Sequence, residues 1–196
     1  MLERERKERE AMPLSPESAA KLTYEDFLQF PEDGKRHELI DGVHYVNAAP
    51  VPYHQLLSGR LFAELYLQIA KTRIGTVFAA PIDVELSRHD VVEPDLLVIS
   101  AENSRIIGAQ RIQGAPDLVV EILSPSTSSY DRRQKFDLYE RARISEYWIV
   151  DPESSTIDQY WLDHERYAHV GRFGRSDQRL ASKRFAAVVI DLREIW

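Results

Sequence analysis

Residues 118–127 read LVVEILSPST, with Glu121 set among Leu118, Val119, Val120, Ile122 and Leu123. Apolar side chains on both alternating faces describe a strand covered on both sides, as in the centre of a sheet flanked by helices. A carboxylate in such a strand is costly unless a metal, a cation or several donors meet it. The bland alternative is an edge strand whose carboxylate reaches solvent or one of the many arginines, but five apolar neighbours argue against an exposed face. A second run of the same character, VEPDLLVIS at 92–100, is opened by Asp95 directly after Pro94. Two carboxylates on neighbouring central strands can share one hard divalent ion, which prefers oxygen ligands. Taken alone, Asp95 also fits an ordinary turn residue after proline.

Outward from these two runs, the pattern predicts a mixed sheet flanked by helices, of class α/β or, by some conventions, α+β. Thr23 to Asp26 has the form of a capping box and predicts a short helix through Phe27 and Leu28. HELIDGVHYV places Asp41-Gly42 between two short apolar stretches, which predicts a hairpin. From Tyr53 to about Arg73, Leu56, Leu57, Leu61, Phe62, Leu65 and Ile69 recur at helical spacing, and this is expected to be the longest helix. TVFAA, IDVEL, DLLVIS, DLVVEIL and EYWIVDP read as strands, with a polar loop at 103–114. A second helix is expected from Asp131 to about Ile144, with Lys135, Leu138, Tyr139 and Ala142 on one stripe. TIDQYWL and ERYAHV alternate like an antiparallel hairpin, and RFAAVVIDL predicts a last strand or helix start. SPSTSS after Glu121 reads as a turn and helix cap.

The 196 residues and 43% hydrophobic content fit one domain over 21–196, preceded by a charged, flexible extension over 1–20. The opening MLERERKERE carries four cations and four anions with no apolar segment behind it, which is not the pattern of a signal peptide. No apolar run approaches the ~18 residues needed to span a bilayer, so a cytoplasmic protein is expected. There is no cysteine, which excludes disulfides, a thiol nucleophile and cysteine-based metal sites. The net charge of −7 opposes indiscriminate binding to a phosphate polyanion. Local cationic patches remain: Arg172, Arg175, Arg179, Lys183 and Arg184 in the tail, and Arg132, Arg133, Lys135, Arg141 and Arg143 along the second helix. The bland reading of both is a set of solvated arginines.

Other acids fit the chemistry less well. Asp117 lies four residues before Glu121, roughly 13 Å along an extended strand, too far to share an ion directly, and reads as a strand-entry residue. Asp83 and Glu85 would share one strand face, which is also the pattern of a half-exposed strand. Lys135 on an apolar stripe must snorkel or reach an anion. Tyr139, one turn on, reads as packing. His54 at the start of the long helix reads as a capping or surface residue, and nothing in the local pattern distinguishes Glu38. No phosphate loop, dinucleotide fingerprint, nucleophile elbow or zinc-protease motif is present.

The succession HELIDG, a helix opening at His54, VEPDLLVIS, GAPDLVVEILSPST and DRRQKFDLYERARISEYWIVDP resembles the Uma-type family of restriction endonucleases, a branch of the PD-(D/E)XK nuclease superfamily. The resemblance covers roughly residues 23–162. It implies a restriction-endonuclease-like core and Mg²⁺-dependent hydrolysis of phosphodiester bonds in DNA, with Mn²⁺ as a possible substitute. Asp95 and Glu121 would be the metal-binding acids, with the backbone carbonyl of Ile122 as a further ligand and Glu38 as a further acid. Two residues after Glu121 the superfamily has a lysine where this chain has Leu123, and the resemblance gives that role to Lys135 on the following helix. His54 matches a family position without an assigned role. Paired cleavage of a duplex would suit a homodimer. Two other readings stand beside this one: a nuclease-fold protein that binds nucleic acid or a protein partner without cutting, and a hydrolase of smaller phosphate esters.

Overall fold

The computed structural model describes residues 20–31, 33–47, 50–124 and 130–196, the side chains of 130–132 excepted. The charged extension, apart from Ala20, and the SPSTSS turn beyond Ser124 lie outside the described residues.

The two apolar runs are central strands, as their patterning predicts. Strands β1 (Arg36–Ile40) and β2 (Val43–Asn47) form the expected hairpin. Both turn residues have positive φ, 53° at Asp41 and 74° at Gly42, and a Cβ on Gly42 would lie 2.5 Å from that of Lys21. Glycine therefore answers both the backbone conformation and the close approach of the incoming chain. Further along come β3 (Gly75–Ala79), β4 (Val84–Ser87), β5 (Asp90–Val92), β6 (Leu96–Ser100), β7 (Ile112–Gln113), β8 (Leu118–Ile122), β9 (Glu146–Asp151), β10 (Thr156–Asp163), β11 (Arg166–Gly174), β12 (Arg179–Ala181) and β13 (Val189–Asp191). A six-stranded sheet runs β11-β10-β9-β8-β6-β3, antiparallel except for the parallel pair β8 and β9. The return from β8 to β9 requires a crossover, which the helix α3 (Tyr130–Arg141) supplies.

Among the described residues the α-helices are α1 (Tyr24–Phe27), α2 (Pro52–Leu65) and α3. The Thr23 capping box is present, with the Thr23 hydroxyl accepting from the Asp26 N–H and the Asp26 carboxylate accepting from the Thr23 N–H. Helix α2 continues into a π-helical turn, Tyr66–Ala70, so the element predicted from Tyr53 onward is the longest. Its buried stripe is Leu57, Leu61, Leu65 and Ile69. Each contributes about 2 kcal/mol by burial against the six-stranded sheet. Leu56, assigned to the same stripe from spacing, is instead 46% exposed, because the stripe drifts away from it at the first turn. The carboxy-terminal segment, including Phe185, Val188, Ile195 and Trp196, closes that face. Helix α3 covers the opposite face through Leu138 and Tyr139.

The structure departs from a single mixed sheet. The hairpin and IDVEL belong to a second, five-stranded sheet, β2-β1-β5-β4-β7, in which only β4 and β7 run parallel. Strand β5 has three residues and β7 two, too short to leave a periodic signal. The expected polar loop at 103–114 holds part of a 3₁₀ turn, Ala101–Ile106, and β7. Only Val189–Asp191 of RFAAVVIDL is a strand, paired with β12. The class remains a mixed α+β architecture. Among the described residues no helix is long and apolar enough to cross a membrane.

Candidate active site

The register of β6 against β8 pairs Leu96 with Val120, and continuing it by one position sets Asp95 opposite Glu121. Both side chains lie on the α3 face, in line with Leu97 and Val119, and both residues are buried. From α3, Lys135 Nζ and the Tyr139 hydroxyl donate to Glu121 Oε1 at 2.9 and 2.6 Å. The same ammonium lies 2.9 Å from Glu38 Oε1 on β1. One turn of helix thus aims a cation and a hydroxyl at one carboxylate oxygen. Lys135 does not snorkel to solvent: it is 8% exposed and bridges two buried acids. Tyr139 both packs edge-on against Tyr147 and donates into the site.

Asp95 collects donors from three elements. Arg36 Nη1, at the start of β1, donates to Oδ1 at 2.8 Å, while His54 Nε2 and the Ile122 N–H meet Oδ2 at 3.1 and 2.8 Å. His54 is neither a cap nor a surface residue. It is buried in the first turn of α2, with Nδ1 lacking a hydrogen-bond partner among the described residues. Glu38 is held by the Glu93 N–H at 2.9 Å and by Asn47 Nδ2 at 2.6 Å, across the β1–β2 hairpin.

The two central acids are tuned in opposite directions. Burial pushes the Asp95 carboxyl up, but the His54 hydrogen bond, the Arg36 charge and the Ile122 N–H outweigh it and hold it below the usual carboxylate range. Burial raises Glu121 against the pull of Lys135 and the Tyr139 hydrogen bond, with repulsion from Asp95 and Glu38 adding to the rise. Burial disfavours the Lys135 ammonium, yet Glu121 and Glu38 more than compensate and raise it above the ordinary lysine value. Glu93 is raised to about 7, by burial first and then by Asp83 and Glu38.

The remaining acids have other uses. Asp117 accepts from the Ser100 N–H and from Arg184 Nε, tying the start of β8 to β6 and to the tail. Glu85 pairs with Arg111, and Asp83 lies across from Glu93 by continuation of the Val84–Val92 register. Leu123 packs into the α3-side core, so the ammonium near Glu121 comes from Lys135. Several arginines of the cationic patches are paired: Arg172 with Asp158, Arg184 with Asp117, Arg141 with Asp90 and Arg143 with Glu165. The residue pattern did not single out Arg36. Its signal was the spacing of two from Glu38 on a strand, which puts both on one face.

A family model described as "Putative restriction endonuclease", Uma2, matches residues 24–193. The chain belongs to the Uma2 family. Two similar proteins come from Synechocystis. "Uncharacterized protein slr1290" is 31% identical over 145 residues, 71% of this chain and 74% of that protein. "Uncharacterized protein sll1609" is 27% identical over 142 residues, 71% of this chain and 80% of that protein. Among solved structures, the fold matches the crystal structure of a putative nuclease belonging to DUF820 from Anabaena variabilis. That match has a TM-score of 0.75 at 20% identity and covers 89% of this chain and 97% of that one. The Uma2 model and this neighbour establish the family and a restriction-endonuclease-like fold.

Proposed function

We propose that the protein is a Mg²⁺-dependent endonuclease that hydrolyses phosphodiester bonds in DNA, with Mn²⁺ able to replace Mg²⁺. The observation that carries this reading is the opposition of Asp95 and Glu121 across neighbouring central strands, with Lys135 on Glu121. The donor set fits a hard cation. Glu38, Asp95, Glu121 and Glu93 bring four carboxyl groups beside the two fixed cations Arg36 and Lys135, and a divalent ion would favour the charged forms of Glu121 and Glu93, which burial otherwise disfavours. A buried Glu93 oxygen without a hydrogen-bond partner among the described residues points the same way. Among the described residues no three His, Asp or Glu side chains form a cage by themselves. Mg²⁺ takes one or two carboxylates and completes its shell with water and substrate phosphate.

Asp95 and Glu121 would hold the ion, with the Ile122 carbonyl as a third ligand. When bound, the cation supplies Lewis-acid polarisation of the phosphate and makes a coordinated water acidic. Tyr139 and Lys135 orient the Glu121 carboxylate, and His54 with the Ile122 N–H orients that of Asp95. The Lys135 ammonium, kept protonated by two carboxylates, stabilises negative charge building on the phosphate. Glu38 fixes Lys135 in place.

Incubation of the purified protein with supercoiled plasmid and with mononucleotide esters, each with Mg²⁺, Mn²⁺ or a chelator, tests the reading. Metal-dependent nicking of plasmid by wild type, absent in Asp95→Ala, is expected. Hydrolysis of small esters alone would move the activity to another substrate, and plasmid binding without cutting would make the site non-catalytic.

A further inference from the structure

The Asp95 carboxylate is already shared when a metal is considered for it. Oδ2 serves two donors that are part of the scaffold, His54 on α2 and the Ile122 N–H in β8. Among the described residues Oδ1 accepts from Arg36 alone, at 2.8 Å, so a cation taking the remaining lone pair of that oxygen would sit against the Arg36 guanidinium and be repelled by its charge. Arg36 is not built into the scaffold in the way His54 is. It reaches in from the first residue of β1, in the other sheet, and its second contact is a long one of 3.3 Å from the same Nη1 to the Glu93 carbonyl. Its buried Nε has no hydrogen-bond partner among the described residues, and its side chain is 21% exposed against 4% for Asp95. A guanidinium carries five donors in a planar fork and stays charged, which matches a phosphate better than one carboxylate oxygen.

Resting on the metal assignment above, we propose that Arg36 is a phosphate-binding residue of the site that couples substrate to metal. It neutralises Asp95 in exchange with the cation and turns its fork to a non-bridging phosphate oxygen of the substrate as the cation takes Oδ1. Metal alone therefore binds against Arg36, whereas metal together with a phosphate binds with it. The consequence is reciprocal: phosphate raises metal affinity and metal raises phosphate affinity. Cation and nucleic acid are therefore taken up cooperatively.

The test is calorimetric titration of Mn²⁺ with and without thymidine monophosphate, which has a phosphate but no diester to cleave. The samples are wild type, Arg36→Met, Arg36→Lys and Asp95→Asn, with thermal melts confirming that each is folded. Wild type is expected to bind Mn²⁺ more tightly with the nucleotide present. Arg36→Met is expected to bind Mn²⁺ alone at least about tenfold more tightly than wild type, since a competing charge is gone, and to lose the nucleotide effect. Arg36→Lys keeps the charge without the fork, so its affinity for Mn²⁺ alone stays near wild type while the nucleotide effect shrinks. Wild-type behaviour in Arg36→Met, beside an Asp95→Asn that has lost Mn²⁺, overturns the role of Arg36 alone. Undiminished Mn²⁺ binding in Asp95→Asn overturns the metal assignment and this proposal with it.

Discussion

Asp95 and Glu121 stand across from each other on β6 and β8, one register position beyond the Leu96–Val120 pair. Their carboxyl groups are pushed in opposite directions, Asp95 down by three donors and Glu121 up by burial and repulsion. The strand pairing that builds the core therefore also sets two unequal acids side by side.

Lys135 links three elements, and its loss should show in both stability and activity. Lys135→Met leaves Glu38 and Glu121 buried without their shared cation, at an expected cost of about 3 kcal/mol in urea unfolding. Adding Glu38→Gln should recover part of that cost, because the repulsion between Glu38 and Glu121 is no longer offset once the lysine is gone. Cleavage per folded molecule should fall by about 10²-fold in both variants. Undiminished cleavage per folded molecule in Lys135→Met would show that Lys135 acts only through folding.

Glu146 supplies the contrasting case of a buried acid that is structural. It is fully buried and accepts from Trp148 Nε1, Gln159 Nε2, Ser182 Oγ and the N–H groups of Lys183 and Arg184. Glu146→Ala leaves those donors facing nothing and frees the tail from the sheet, with an expected loss of about 3 kcal/mol or more. Metal affinity measured below the melting temperature should be unchanged. A selective loss of metal binding in this variant would mean that the acids of the chain have been sorted wrongly.

Stability should also depend on Glu93 through pH. Its folded-state value is about 7 against an ordinary 4.5, so between those values the folded protein keeps a proton that the unfolded chain has released. Stability contributed by this group is therefore lost as pH rises through that window. Glu93→Gln should flatten the wild-type decline between pH 5 and pH 8 by on the order of 1 kcal/mol, read from urea midpoints. A parallel decline in the variant would assign the dependence elsewhere.

Long apolar runs made the six-stranded sheet legible. DLLVIS and LVVEIL are covered on both faces and became β6 and β8, and the Asp-Gly turn with its two positive φ angles was visible in HELIDG. The second sheet was not legible, because β5 and β7 owe their existence to neighbours rather than to their own pattern. The site divided in the same way. Glu121 stood out by the cost of its burial, whereas His54 and Arg36 gain meaning only when α2 and β1 converge on Asp95 from distant parts of the chain. Glu38 and Lys135 were assigned through family resemblance, and no local pattern could show that they share one ammonium contact across 97 residues' worth of chain from Glu38 to Lys135.

The central claim is that Asp95 and Glu121 form a metal site that drives cleavage, and calorimetric titration of Mg²⁺ into wild type and Glu121→Gln, followed by plasmid cleavage with the same samples, tests it most directly. Saturable Mg²⁺ binding and cleavage in wild type, both lost in a folded Glu121→Gln, is the predicted result. Equal Mg²⁺ binding by the two proteins, or cleavage that survives the substitution, would contradict it.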